Sequence, residues 1–136
     1  FFAGFGDVEL WEVVHRATWQ RCAVGHALYR HGEEGNSFHI IAQGQVDVYR
    51  DGQRVAQLGA GTSVGEMAYL APSPALRIHS ADVIVSEPST TISFTPQLLE
   101  QLSLGTRRLF DAAFIRVLVR RPHAAHEALA HPRRIL

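Results

Sequence analysis

Residues 64–70 read Val-Gly-Glu-Met-Ala-Tyr-Leu, and this stretch decides the fold that we predict for the chain. It follows a glycine-punctuated turn at residues 58–61, and a proline-containing loop leads from it to Arg-Ile-His-Ser-Ala at residues 77–81. A glycine, an acid and a short apolar helical turn bring backbone N–H groups and the positive end of a helix together. With a cation from the loop that follows, the pattern suits a small phosphate ester.

Two segments resemble cyclic-nucleotide-binding domains of the kind found in the catabolite activator protein and in regulatory subunits of cAMP-dependent kinase. Residues 64–70 resemble the phosphate-binding cassette of that family. Residues 32–48, Gly-Glu-Glu-Gly-Asn-Ser-Phe-His-Ile-Ile-Ala-Gln-Gly-Gln-Val-Asp-Val, resemble its first hairpin, with Gly35 and Gly44 at the turns. About residues 1–121 can be laid onto the domain.

The resemblance implies a mainly β fold with flanking helices. The expected form is an antiparallel β-roll, of the double-stranded β-helix or jelly-roll kind, with an N-terminal helix, a short cassette helix and C-terminal helices. We expect one domain over residues 1–130, with the β-roll at about 22–94, the C-terminal helices at about 96–130 and a tail at 131–136. The chain begins with Phe rather than Met, so we also expect a fragment of a larger protein.

The resemblance also implies the site residues. In the family, the glycine and the amides after it hold the cyclic phosphate, and that role falls on Gly65, Met67 and Ala68. The family's ribose-binding glutamate falls on Glu66. An alternative for these residues is a turn glycine and a helix N-terminal charge without a ligand.

Two alignments to the family motif are possible for the residue that contacts the phosphate. Arg77 keeps a permanently charged, two-pronged donor but requires a longer loop. His79 fits the downstream strand better, yet an ordinary imidazole is mostly neutral at pH 7. We favour Arg77 as the phosphate partner, with His79 and the Ser80 hydroxyl assisting, because alternate residues of one strand share a face. The alternative is that Arg77 faces solvent and the pocket binds nothing.

Local signals predict the elements around the cassette. Asp7 is the expected N-cap of a helix with an apolar stripe of Val8, Trp11, Val14 and Thr18. Residues 38–50 read as two strands broken at Gly44, and Asp51-Gly52 reads as a hairpin turn into a return strand at 54–58. A β-branched run covers residues 80–94.

After residue 94 the sequence pattern becomes typical of helices. Thr95 and Pro96 are the expected N-cap and first residue of a short helix that ends at Gly105, and Thr106 is the expected cap of the next. That helix carries an apolar stripe, interpreted as core or dimer seam rather than as a lid on the base: Phe110, Ala113, Phe114, Val117 and Leu118.

Composition limits the function classes. Thirteen basic residues, all Arg, balance thirteen acids, but residues 101–136 hold seven Arg against two acids. A solvated helix face explains this tail better than nucleic-acid binding, and too few residues follow Arg121 for a helix-turn-helix, so we expect no DNA binding by this chain alone. No apolar run reaches the ~18–20 residues of a membrane span. The single Cys22 fits a reducing compartment, and we expect a cytoplasmic protein.

The pattern favours sensing over catalysis. The eight His are scattered without metal-ligand spacing, and no nucleophile has an arranged base, so we predict no enzyme, no metal and no cofactor. By resemblance, the effector is a cyclic purine mononucleotide, cAMP before cGMP. The expected partners are an effector domain, covalently linked or separate, for which a kinase is the candidate, and a second copy in a homodimer. The alternative is a degenerate family member that acts as a dimerisation or docking module.

Overall fold

The computed structural model describes residues 1–66, 70 and 77–120. The described elements are α1 (Asp7–Arg16), β1 (Thr18–Cys22), β2 (Ala27–Tyr29), β3 (Phe38–Arg50), β4 (Gln53–Gly59), β5 (Ser63–Val64), β6 (Asp82–Phe94), α2 (Pro96–Glu100) and α3 (Leu104–Arg120). No helix of this part of the chain is both long enough and apolar enough to cross a membrane.

The six strands form one antiparallel sheet around two long strands. The order is β1-β6-β3-β4, with β2 also paired to β6 and β5 to β3. Strands β3 and β6 each span thirteen residues, and β5 pairs with the start of β3 while β4 pairs with its end. The predicted mainly β fold with flanking helices is confirmed.

The predicted break at Gly44 is wrong, because β3 continues through it as a bulged strand. Gly44 has a φ of 100°, and a Cβ there would lie 2.6 Å from the Ser89 Cα and 2.7 Å from the Pro88 carbonyl oxygen. The β3–β6 register shifts on both sides of this residue. A bulge bends a strand without ending its pairing, so glycine here marks close backbone approach rather than a turn.

The Asp51-Gly52 hairpin is confirmed. Both residues have positive φ, 54° and 79°, as the tight turn requires, and β4 runs back along β3 from Gln53 to Gly59.

The apolar stripe predicted for α1 is wrong. The exposed fractions are 76% for Val8, 66% for Trp11 and 48% for Val14, whereas Val13 is 2% exposed and Leu10 packs against the core. The helix carries two apolar stripes, and the core takes the one that does not contain Trp11, which stacks on His15 instead. Spacing alone does not choose between two such faces.

The predicted N-cap residue is wrong at two of the three helix starts. Gly6 rather than Asp7 precedes α1, and its N–H donates to the Glu9 Oε1 at 2.9 Å. The Thr95 cap is confirmed, since its Oγ1 accepts from the Leu98 N–H at 3.2 Å.

The predicted boundary at Gly105 is wrong. The helix α2 ends at Glu100, and α3 begins at Leu104, so Gly105 and Thr106 lie inside α3. The Ser103 Oγ accepts from the Thr106 N–H at 3.4 Å. Ser103 therefore has the position that the sequence suggested for Thr106.

The α3 stripe packs into an aromatic core. Phe110, Ala113 and Phe114 are buried, and the Phe114 ring meets Phe38 edge to face at 4.9 Å between centroids. Phe38 in turn stacks on Phe94. The interpretation of Phe110 and Phe114 as core is confirmed, and Val117 is half-buried, while the Leu118 side chain lies outside the described part.

A carboxylate of α1 ties that helix to the start of α3. The Glu12 carboxylate accepts from the Ser103 N–H at 2.5 Å, from the Ser103 Oγ at 2.9 Å and from the Thr106 Oγ1 at 2.6 Å. The hydrogen bond from Thr106 is the main cause of a lowered pKa at Glu12. We call this contact the Glu12 latch.

Candidate functional site

The backbone of Gly65 lies directly on the ring of Tyr29. Gly65 follows β5 with a φ of 84°, and a Cβ at this position would overlap the tyrosine hydroxyl and lie 2.5 Å from Cζ. Only glycine combines this backbone conformation with so close an approach. The strand β2 therefore sets where the cassette begins.

Glu66 is helical and is buried. Its carbonyl accepts from the Leu70 N–H at 2.8 Å, the hydrogen bond of an α-helix, and the residue is 2% exposed. Its carboxylate is near enough to Tyr29 to help burial raise the pKa of that hydroxyl. Met67 and Ala68, predicted to contribute amides, lie outside the described residues.

The segment after the loop is extended and pairs with residues 32–35. The His79 N–H donates to the Glu33 carbonyl at 2.8 Å, and the Gly35 N–H donates to the Arg77 carbonyl at 2.5 Å. Ile78 is 42% exposed, whereas His79 is buried and Arg77 half-buried. The alternation puts Arg77 and His79 on one side of the segment.

Tyr29 joins two histidines that lie far apart in the sequence. Its hydroxyl and the His39 Nδ1 are 2.5 Å apart, and the hydroxyl also lies 3.3 Å from the Val64 carbonyl oxygen. On its other side, the ring stacks on His79 with 4.0 Å between centroids. We call these three side chains the Tyr29–His39–His79 cluster.

The cluster is uncharged at neutral pH. Burial, followed by the nearby His79 and His26, lowers the pKa of His39 to about 4. Burial also lowers the pKa of His79, although the Glu33 carboxylate partly opposes the shift. The cluster therefore presents two neutral imidazoles at neutral pH.

The cluster forms one wall of a cavity of about 450 Å³. This volume lies within the ~300–1,000 Å³ of small-molecule pockets. The described residues that line it are Leu28, Tyr29, Glu33, Glu34, Asn36, Ser37, His39 and His79. The wall is thus polar, with two acids and two histidines.

The predicted site residues meet at Tyr29 rather than at one another. Gly65 touches its ring, Glu66 acts on its hydroxyl, and His79 stacks on it. Of these, only His79 is among the described residues on the cavity wall, and Arg77 is not. Ser80 is exposed beside His79.

Sequence reasoning missed Tyr29 and treated His39 only as a scattered histidine. Alternation in β3 was the available signal, because His39 lies between Phe38 and Ile40, which belong to the helix-side core. Within the described part of the chain, no three His, Cys, Asp or Glu side chains gather into a metal-binding group.

Known proteins resemble this chain in sequence and in fold. The family model described as the cyclic nucleotide-binding domain matches residues 19–104. A cAMP-dependent protein kinase regulatory subunit of Yarrowia lipolytica is 32% identical over 69 residues, which cover 51% of this chain and 17% of that protein. A second one, from Debaryomyces hansenii, is 38% identical over 64 residues, 46% of this chain and 14% of that protein.

Solved structures share the fold at low identity. The catabolite activator protein of Thermus thermophilus superposes with a TM-score of 0.74 at 23% identity, covering 94% of this chain and 60% of that one. The regulatory subunit of a cAMP-independent protein kinase A from Trypanosoma brucei gives a TM-score of 0.73 at 22% identity, covering 93% and 44%.

The chain belongs to the cyclic nucleotide-binding domain family, a family of regulatory ligand-binding domains. The predicted family and fold are therefore confirmed. The chain spans less than a fifth of the length of the two kinase regulatory subunits that it matches.

Proposed function

We propose that this chain is a ligand-sensing domain that binds a cyclic purine mononucleotide, cAMP before cGMP, in the cavity beside Tyr29. The observation that carries the proposal is the meeting of Gly65, Glu66 and His79 around Tyr29 at the edge of that cavity. The names of the kinase regulatory subunits support cAMP as the first ligand to test.

In the proposed complex the phosphate lies on the backbone amides after Gly65, and Glu66 accepts hydrogen bonds from the ribose. Arg77, assisted by His79 and Ser80, meets the phosphate charge. A helix N-terminus and a backbone turn both favour an anion at this place. The half-buried Arg77 lies on the same side of its segment as His79, which supports a shared role.

The binding signal passes through β3 to the C-terminal helices. His39 lies against the cavity, while the preceding residue, Phe38, packs on Phe114 of α3. A ligand that binds one arrangement of this strand better than another shifts the packing of α3. The output then lies on an effector domain, of which a kinase is our first candidate because the curated relatives are kinase regulatory subunits.

Isothermal titration with cAMP and cGMP tests the proposal. We expect Glu66→Gln and Arg77→Ala each to weaken cAMP binding by at least about tenfold, because charged hydrogen bonds contribute about 1.5–3 kcal/mol. Glu87→Gln is the matched control, since Glu87 is an exposed carboxylate on β6. Saturable binding that neither substitution changes would show that these residues do not form the binding site. If neither nucleotide produces a binding heat at hundreds of micromolar, the proposal that the domain senses a cyclic nucleotide is rejected.

A second candidate is a docking or dimerisation module that binds no nucleotide. The observation in its favour is an apolar pair on α3, where Ile115 is 62% and Val119 68% exposed one helical turn apart. Sedimentation without nucleotide separates the two functions. A module of this kind associates at micromolar concentration, and Ile115→Glu abolishes the association.

A further inference from the structure

The cavity wall is unusual for a site that receives an anion. Its described ionisable residues are two acids, Glu33 and Glu34, two histidines whose pKa values burial lowers, and Tyr29, whose pKa burial raises. A cyclic phosphodiester carries one fixed negative charge. An anion that enters here therefore favours the charged form of any imidazole that it touches.

His79 is the histidine that can accept the proton. His39 is held through Nδ1 by the Tyr29 hydroxyl and is opposed by the positive charge of both other histidines nearby. For His79, burial is the cause that lowers the pKa, and the Glu33 carboxylate favours the charged form. Its ring packs on Tyr29 at the cavity wall, with an angle of 33° between the two ring planes.

The titratable and charged groups around the Tyr29–His39–His79 cluster come from several segments. They are His26 before β2, Tyr29 on β2, Glu33 and Glu34 before β3, His39 on β3, Glu66 after β5 and Arg77 on its own segment. Burial keeps His39 neutral and Tyr29 protonated across the neutral range. Among the described residues that line the cavity, His79 is therefore the one whose charge a bound anion changes between pH 6 and 8.

We propose that His79 contacts the phosphate as an imidazolium, so that each nucleotide bound takes up one proton and binding strengthens as the pH falls. The inference rests on the proposed function and assigns a distinct task to His79. Arg77 supplies a charge that does not depend on pH, and His79 supplies one that does. The domain then reports nucleotide and acidity together.

The sign follows from linkage. His79 binds the proton less readily in the free domain than in the complex, so the affinity rises as the pH falls through the range between the two pKa values. The slope is at most tenfold per pH unit for one proton. We expect cAMP to bind on the order of tenfold more tightly at pH 6 than at pH 8.

The experiment is titration calorimetry with cAMP and with adenosine at pH 6, 7 and 8, in buffers of different ionisation heat. Wild type should take up close to one proton per cAMP near pH 7 and none per adenosine, which lacks the phosphate. His79→Asn should remove the pH dependence, and His79→Arg should restore tight binding that does not change with pH. His31→Asn, at an exposed histidine outside the cavity lining, should behave as wild type.

The outcomes distinguish a failure of the proposed role of His79 from a failure of the proposed function. Binding of cAMP that is independent of pH, or a pH dependence that persists in His79→Asn, overturns the role of His79 and leaves the proposed function standing. An equal pH dependence for adenosine also overturns it, because the effect would not involve the anion. Failure to bind cAMP or cGMP at any pH overturns both. Thermal unfolding of each variant shows that it is folded before titration.

Discussion

The backbone at Gly65 packs so closely on Tyr29 that no side chain fits between them. We expect Gly65→Ala to destabilise the domain by about 2–4 kcal/mol, from positive-φ strain and overlap with the ring. Gly25→Ala is the matched control, because Gly25 has a φ of 92° and nothing within 4 Å of an added Cβ. Gly25→Ala should lower the free energy of unfolding by about 1 kcal/mol, from the positive-φ strain alone.

Urea unfolding of the two variants measures this difference. If Gly65→Ala costs no more than Gly25→Ala, the contact between the cassette and Tyr29 is not as close as described. Because Tyr29 also contacts His39 and His79, a displaced ring changes the whole cavity wall. The substitution should then weaken cAMP binding as well.

Residues whose role depends on a partner elsewhere in the sequence were the ones missed. Asp51-Gly52 and Thr95 act through their immediate neighbours, so their structure could be predicted from the sequence. Tyr29 and His39 acquire their roles only when β2 and β3 come together with the cassette. The family pattern indicated Gly65 and Glu66, but spacing alone left Arg77 and His79 as alternatives.

Among the elements, the errors arose where packing overrides local preference. Gly44 looked like a turn, yet it permits a bulge in a continuous strand against Ser89. The helix α1 carried two apolar stripes, and the fold buried the one with Val13. The start of α3 depends on Glu12, more than ninety residues away, which no local pattern contains.

The Glu12 latch joins two elements that flank the β-roll. We expect Glu12→Gln to lower the free energy of unfolding by about 1 kcal/mol, because the carboxylate acts as an N-terminal cap for α3 from a partly exposed position. Glu100→Gln, an exposed acid at the end of α2, should have no measurable effect.

The latch also predicts a pH dependence. The folded state lowers the pKa of Glu12 below 4.5, so its stabilising contribution is complete above that pH and is lost as the pH falls through the lowered value. Urea unfolding of wild type and Glu12→Gln at pH 7 and pH 3.5 measures it. The difference between the two proteins should shrink at the lower pH, and an unchanged difference would contradict the charged cap.

For the whole molecule, the β-roll separates a polar cavity from an aromatic core. Cys22, Tyr29, Ile41 and Val46 belong to the core cluster inside the roll, whereas the helices pack on a second cluster that contains Phe38 and Phe94. Strand β3 contributes to both clusters. We propose that a change at the cavity reaches α3 through β3 without a hinge, because adjacent residues of one strand face the two sides.

A crystal structure of the domain grown with saturating cAMP at pH 6 tests the central claim most directly. We predict that the nucleotide lies in the cavity beside Tyr29, with its phosphate between the amides after Gly65 and the side chains of Arg77 and His79. A nucleotide bound elsewhere on the surface, or a cavity that stays closed to it at saturation, would contradict the account.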